Sequence, residues 1–129
     1  MFHEGLYSLL TGNAPLMSAL AAAPYPVLVP ETAVYPCLSY QDITESDSYT
    51  LDRKARQDKR VQFDAWGARY ADCKSVALAL RNLLTCYTGV LQEGTRVLGV
   101  FKENEIDNWE FDGRAFRITV EYRFLIVEA

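Results

Sequence analysis

Between Phe116 and Ile126 every second residue is large and apolar: Phe116, Ile118, Val120, Tyr122, Phe124 and Ile126. In an extended chain successive side chains point to opposite faces. These residues therefore share one face of a strand over Arg114 to Val127, and that face needs a covering layer. Near the strand's end the other face turns apolar too, at Leu125 and Val127, as in a strand that is central, covered, or buried by a partner. A second alternation runs over Lys59 to Trp66, where Val61, Phe63 and Ala65 interleave with Arg60, Gln62 and Asp64. One side of the sheet is thus core and the other wet.

The covering layer is legible between Tyr70 and Tyr87. Cys73, Val76, Ala77, Leu80, Leu83, Leu84 and Tyr87 fall on one helical stripe, with Gly89 as an expected cap just past its end. A shorter helix is expected over Phe2 to Leu10, where Phe2, Leu6, Leu9 and Leu10 have helical spacing before Gly12-Asn13. Another is expected over Pro15 to Ala22, with proline in its first turn. All five prolines lie within the first 36 residues. Pro24 to Pro36 is therefore expected to be extended, because proline lacks the amide proton a helix needs.

Further strands are expected over Cys37 to Thr44 and from Arg96 through Phe101 to Asn108, with a hairpin turn at Asp112-Gly113. The polar run Glu45 to Asp58 has no apolar period and reads as a long exposed loop. The expected fold is α+β: a mainly antiparallel sheet of about four strands with helices packed on one face. At 129 residues the chain is read as one domain, 1–129.

Charge is placed unevenly. The first 52 residues carry six acids and no lysine or arginine; the remainder carries thirteen bases against eleven acids, for a net charge of −4 overall. That balance argues against a strongly basic nucleic-acid coat. No basic leader precedes an apolar stretch, and the run Ala19 to Val29 is shorter than the roughly 20 residues that span a bilayer. A soluble cytoplasmic protein is expected. Cys37, Cys73 and Cys86 form no CxxC pair, so small core thiols are expected in place of a disulfide or zinc framework.

No catalytic set emerges. His3 is the only histidine and lies at a chain end, a poor place to hold a base. Glu103, Glu105 and Asp107 alternate, which on a regular strand puts them on one face; they could serve an enzyme as acid or cation ligand, but no metal-loop spacing supports them. The bland reading is a solvated face. The basic cluster Arg53, Lys54, Arg56, Lys59 and Arg60, with Asp52 beside it, could read nucleic acid. Only Tyr49 lies near as a stacking partner, so an interaction loop that pairs with acids on a neighbouring subunit is preferred. The glycines form no phosphate cradle.

The order of elements resembles the tail completion, or tail terminator, proteins of long-tailed bacteriophages and prophages. The residues that carry the likeness begin with a helix and turn, Leu6-Tyr7-Ser8-Leu9-Leu10-Thr11-Gly12. Tyr35-Pro36-Cys37-Leu38-Ser39-Tyr40-Gln41 is similar to a proline-led strand. It departs from the family's frequent Leu-Pro-Tyr start. Arg60-Val61-Gln62-Phe63-Asp64-Ala65-Trp66 is similar to an R-V-Q-hydrophobic-D-hydrophobic-aromatic strand. The helix Tyr70 to Leu84 and the closing strand Phe116 to Phe124 follow in place.

The resemblance implies a structural virion protein and not an enzyme, with no catalytic residue, cofactor or metal. It implies a hexameric ring at the head-proximal end of the tail, assembled in the host cytoplasm. Its partners are implied to be further copies of the chain, the tail tube protein and a head-tail connector. A neck or connector protein is the alternative in the same setting; a small nucleic-acid-binding domain is the alternative outside it. Phe124, Leu125 and Val127 are the candidate subunit interface. Deletion of Ser46 to Gln57 is expected to spare the fold and impair assembly.

Overall fold

The computed structural model describes residues 2–30, 33–49, 55–91, 94–110 and 115–127. The elements follow in the order α1 (Phe2–Thr11), α2 (Ala14–Ala19), β1 (Tyr25–Pro26), β2 (Cys37–Tyr49), β3 (Ala55–Gly67), α3 (Tyr70–Leu84), β4 (Gly89–Val90), β5 (Arg96–Glu110) and β6 (Ala115–Val127). They form one six-stranded sheet in the order β1-β2-β3-β6-β5-β4. Among the described residues, only the β1–β2 pair is parallel. The α+β class is as expected, and the sheet exceeds the expected strand number by the two-residue strands β1 and β4.

The alternation in β6 does what its period requires. Ile118, Val120, Tyr122, Phe124 and Ile126 are all buried. They meet Val61, Phe63 and Ala65 of β3 and the apolar stripe of α3. The rings of Phe63 and Tyr122 cross edge-on at 5.8 Å, and Phe2 of α1 meets Phe124 the same way at 5.4 Å. Gly67, at the end of β3, lets the chain turn into α3: a Cβ there would stand 3.0 Å from the Cys73 sulfur. Asn13 caps α2 by accepting the Leu16 amide proton at 2.9 Å.

Three expectations are corrected. Glu45 to Asp58 is not a loop throughout, since β2 runs to Tyr49 and β3 begins at Ala55, with pairs from Glu45↔Lys59 to Tyr49↔Ala55. Gly89 is not the α3 cap; Cys86 takes the left-handed conformation there, and Gly89 belongs to β4. Cys86 is accordingly exposed, whereas Cys37 and Cys73 are buried. The Asp112-Gly113 turn lies outside the described residues.

Each flank of the sheet is capped over only a short length. β1 covers β2 at Ser39 and Tyr40, and β4 covers β5 at Arg96 and Val97. Among the described residues no strand pairs with the outer side of β2 beyond Tyr40, or with that of β5 beyond Val97.

Candidate functional site

The described members of the basic cluster do not assemble into one patch. Asp52, Arg53 and Lys54 lie outside the described residues, and Arg56 is exposed. Lys59 and Arg60 are strand neighbours and so project to opposite faces. Lys59 is buried, its ammonium 5.1 Å from the centre of the Phe2 ring. Arg60 turns to the outer face, 3.8 Å from Glu103 and 3.7 Å from Glu121.

That outer face is a grid of opposed charges. Arg123 donates to Glu103 at 2.9 Å and to Asp58 at 3.0 Å, with its guanidinium 4.7 Å over the Phe101 ring. Asn104 donates to Glu121. These partners are partly solvated, so each pair contributes less than about 1 kcal/mol. What the grid does is keep the face polar, with two guanidiniums set among three carboxylates.

Asp64 is the residue that sequence reading placed wrongly, as a wet position. It is buried, accepting from the Thr119 hydroxyl at 2.6 Å and from Gln62 at 3.0 Å. Trp66 donates its indole proton to Ser39 in the same neighbourhood. An aspartate in mid-strand, where that residue is depleted, was the one available signal.

The alternating carboxylates do not share a face. The register shifts between Lys102 and Asn104, and this bulge sends Glu103 to the outer face with Arg60 and Arg123. Glu105 and Asp107 go to the helix side, each 3.5 Å from Lys74 of α3. The set that an acid-base reading needs is thereby parted, and no metal-holding cluster exists among the described residues.

The Tyr70 hydroxyl donates to Asp107 at 2.6 Å and, with Lys74, holds its carboxyl below the usual carboxylate range. A lowered folded value stabilises above the ordinary carboxylate range, and that contribution is lost as pH falls through the folded value. Tyr70→Phe is expected to raise the Asp107 midpoint in an NMR titration while shifting the melting temperature little. An unmoved midpoint would remove the hydroxyl as the cause.

The other singled-out residues have structural partners. His3 Nε2 lies 2.9 Å from Asp42 and ties α1 to β2. Burial pushes the Cys37 and Cys73 thiols up to about 11, well away from reactive thiolates. Phe124 is a core residue under α1 and not a surface for a neighbour, because its strand position points to the helix side. Leu125 and Val127 are half-buried.

Between α3 and β5 runs a groove of about 170 Å³ lined by Lys74, Ala77, Leu78, Arg81, Lys102 and Glu105. It lies where α3, packed chiefly on β3 and β6, reaches β5 through Tyr70 and Lys74. Leu78 beside it, and Phe101, Ile106 and Trp109 along β5, are exposed large apolar side chains.

A family model described as "Tail completion protein gp17" matches residues 4–127. Among solved structures, a chain of the "Virion of native gene transfer agent (GTA) particle" superimposes with a TM-score of 0.73 at 19% identity, covering 95% of this chain and 91% of that chain. At that identity the likeness is one of fold. No curated protein matches the sequence.

Proposed function

The chain belongs to the tail completion protein gp17 family, and from that membership we propose that it caps the phage tail tube, ends its polymerisation and forms the surface that joins tail to head. The coarser role is a structural component of a phage-type tail, carried in the virion. The finer role is our reading. It makes 1–129 one domain acting as a hexameric ring, with the tube protein on one side and a head-side connector on the other.

The observation that carries this reading is the extent of the family match. It spans the described helices and strands but for Phe2 and His3 at the start of α1, so the unit in common is the described fold. The site geometry is consistent with assembly work. Arg60 and Arg123 are engaged by carboxylates and not displayed as a phosphate-binding surface. A small domain with unlike flanks can close head-to-tail into a ring, and two unlike ring faces can then meet different partners.

Light scattering with negative-stain imaging tests the reading. A ring of about six copies with a central hole is expected, either in the pure protein or after tail tubes are added. Added protein should sit at tube ends and stop further growth. Protein that neither forms rings nor binds tube ends, under either condition, overturns it.

A further inference from the structure

We propose that copies of this chain join head to tail, the Val27-Leu28 turn of one copy seating in the cleft beside β4 of the next. The inference rests on the ring reading above and names the two surfaces that hold the ring together. Among the described residues the four most exposed large apolar side chains are Leu28 (76%), Val27 (69%), Val34 (66%) and Val90 (65%). Three of them lie on the connection between α2 and β2, which carries β1, and the fourth lies on β4. β1 and β4 are the two opposite ends of the sheet.

The turn is built to project and to keep its shape. Leu28 donates its amide proton to the Pro26 carbonyl at 2.7 Å, and Val27 between them stands at φ +64°. A three-residue turn of that hand is rare and strained, and a β-branched residue suits it badly. Strain of this kind persists only where the surrounding structure enforces it, and it collects at sites that bind. Here the enforcement is visible. Val27 donates to the Tyr40 carbonyl of β2 at 2.8 Å, and Ala21 donates to the Pro36 carbonyl at 2.9 Å. Pro24, Pro26 and Pro30 hold their own φ angles on either side of Val27 and Leu28. A projection already held in shape loses little freedom when it is bound.

The cleft matches it in chemistry and in size. Its volume is about 450 Å³, and it is lined by Thr88, Gly89, Val90, Arg96, Val97 and Leu98. Of these only Arg96 is charged, and an arginine can lay its aliphatic stem along an apolar seat while its head stays in water. A cavity of about 150 Å³ holds a benzene molecule, so this cleft has room for the valine and leucine side chains together.

Shape selects a second copy and its orientation. Turn and cleft cannot meet within one chain, because β2, β3, β6 and β5 stand between β1 and β4, about 24 Å at the usual strand spacing. Turn against turn would bring two convex tips together and bury little. Cleft against cleft would leave the hollow unfilled. The dry contact therefore joins unlike flanks. Each copy offers one turn and one cleft, so the contact repeats from copy to copy and closes when the rotation between them allows.

The test uses the full chain, read by light-scattering mass and occupancy of tube ends, with circular dichroism to confirm folding. Leu28→Asp and Val90→Asp each alter a mostly exposed side chain, so both chains should fold. Each should lower ring formation and tube-end occupancy at least about ten-fold. Val27→Gly suits the local backbone better than valine, so it should melt within a few degrees of the native chain and still lose assembly about five-fold. A chain carrying Leu28→Cys and Val90→Cys, with the exposed Cys86 replaced by serine, is treated after assembly with a short bismaleimide. It should give a covalent ladder that runs past the dimer, and neither new cysteine alone should do so. Rings that persist in either aspartate chain, or assembled rings that give no ladder, overturn this junction and leave the cap reading standing. Dimers cross-linked through Leu28→Cys alone place turn against turn and overturn it too. Normal rings of the Leu28→Asp chain that no longer hold tube ends give the turn to the tube protein, which also overturns it. A native chain that never forms rings and never occupies tube ends removes the cap reading and this inference together.

Discussion

The Phe124→Asp chain is expected to unfold far below the melting temperature of the native sequence, and to do so as a monomer. Phe124 is fully buried, crossed edge-on by the Phe2 ring at 5.4 Å. Truncating a buried phenylalanine costs about 3–5 kcal/mol from lost transfer energy and the cavity left behind. The new carboxylate adds a desolvation penalty. Lys59 stands directly across on β3 and can meet it, but a buried ion pair recovers only part of that penalty. The total is a large share of the roughly 5–15 kcal/mol by which domains are stable. Thermal unfolding followed by circular dichroism measures it, with Phe124→Leu as a milder control. If Phe124 served an interface, the aspartate chain would stay folded and lose only association. A melting temperature within a few degrees of native would return the residue to that role.

Removing Ser46 to Gln57 is now expected to damage the fold, contrary to the reading of this stretch as a loop. The deletion joins Glu45 to Asp58, whose neighbours form the Glu45↔Lys59 rung. A hairpin needs about two loop residues, so the joined chain must break that rung. It also removes Gln57, which pairs with Ile126 of β6. A gentler change separates fold from assembly. Replacing Tyr49 to Ala55 with Asn-Gly links Ser48 to Arg56 across a rung that already exists, with a turn suited to strand twist. That chain is expected to melt within a few degrees of native and to lose most of its ring and tube-end occupancy. Melting curves and negative-stain counts on both chains test this. Native occupancy in the Asn-Gly chain would free the hairpin end of any assembly role.

The candidate surfaces were partly legible before the fold was known. The basic run Arg53 to Arg60 and the acidic run Glu103 to Asp107 were visible as clusters, because clustering along a chain needs no geometry. Their real neighbours were not. Glu103 leaves Glu105 because of a bulge, and a one-residue slip in register moves a side chain to the opposite face. Asp64 accepts a hydrogen bond from Thr119, a residue 55 positions away that no local pattern connects to it. The groove joins Lys74 and Arg81 on α3 to Lys102 and Glu105 on β5, residues that only the packing of helix on sheet brings together.

What the sequence by itself determined is the set of elements whose apolar period is long enough to demand a buried face: β6, the inner half of β3, and α3. Periodicity is a local property, so α+β layering follows from it directly. What only the tertiary structure decided is where strands continue without an apolar face, which charges meet, and where the short flanking strands pair. The rungs from Glu45 to Tyr49 are held by hydrogen bonds to a partner strand, and such bonds leave no mark on side-chain pattern. Likewise, β1 pairs with β2 at Ser39 and Tyr40, and β4 with β5 at Arg96 and Val97. That is a question of where two-residue strands land in space, and composition along the chain does not encode it.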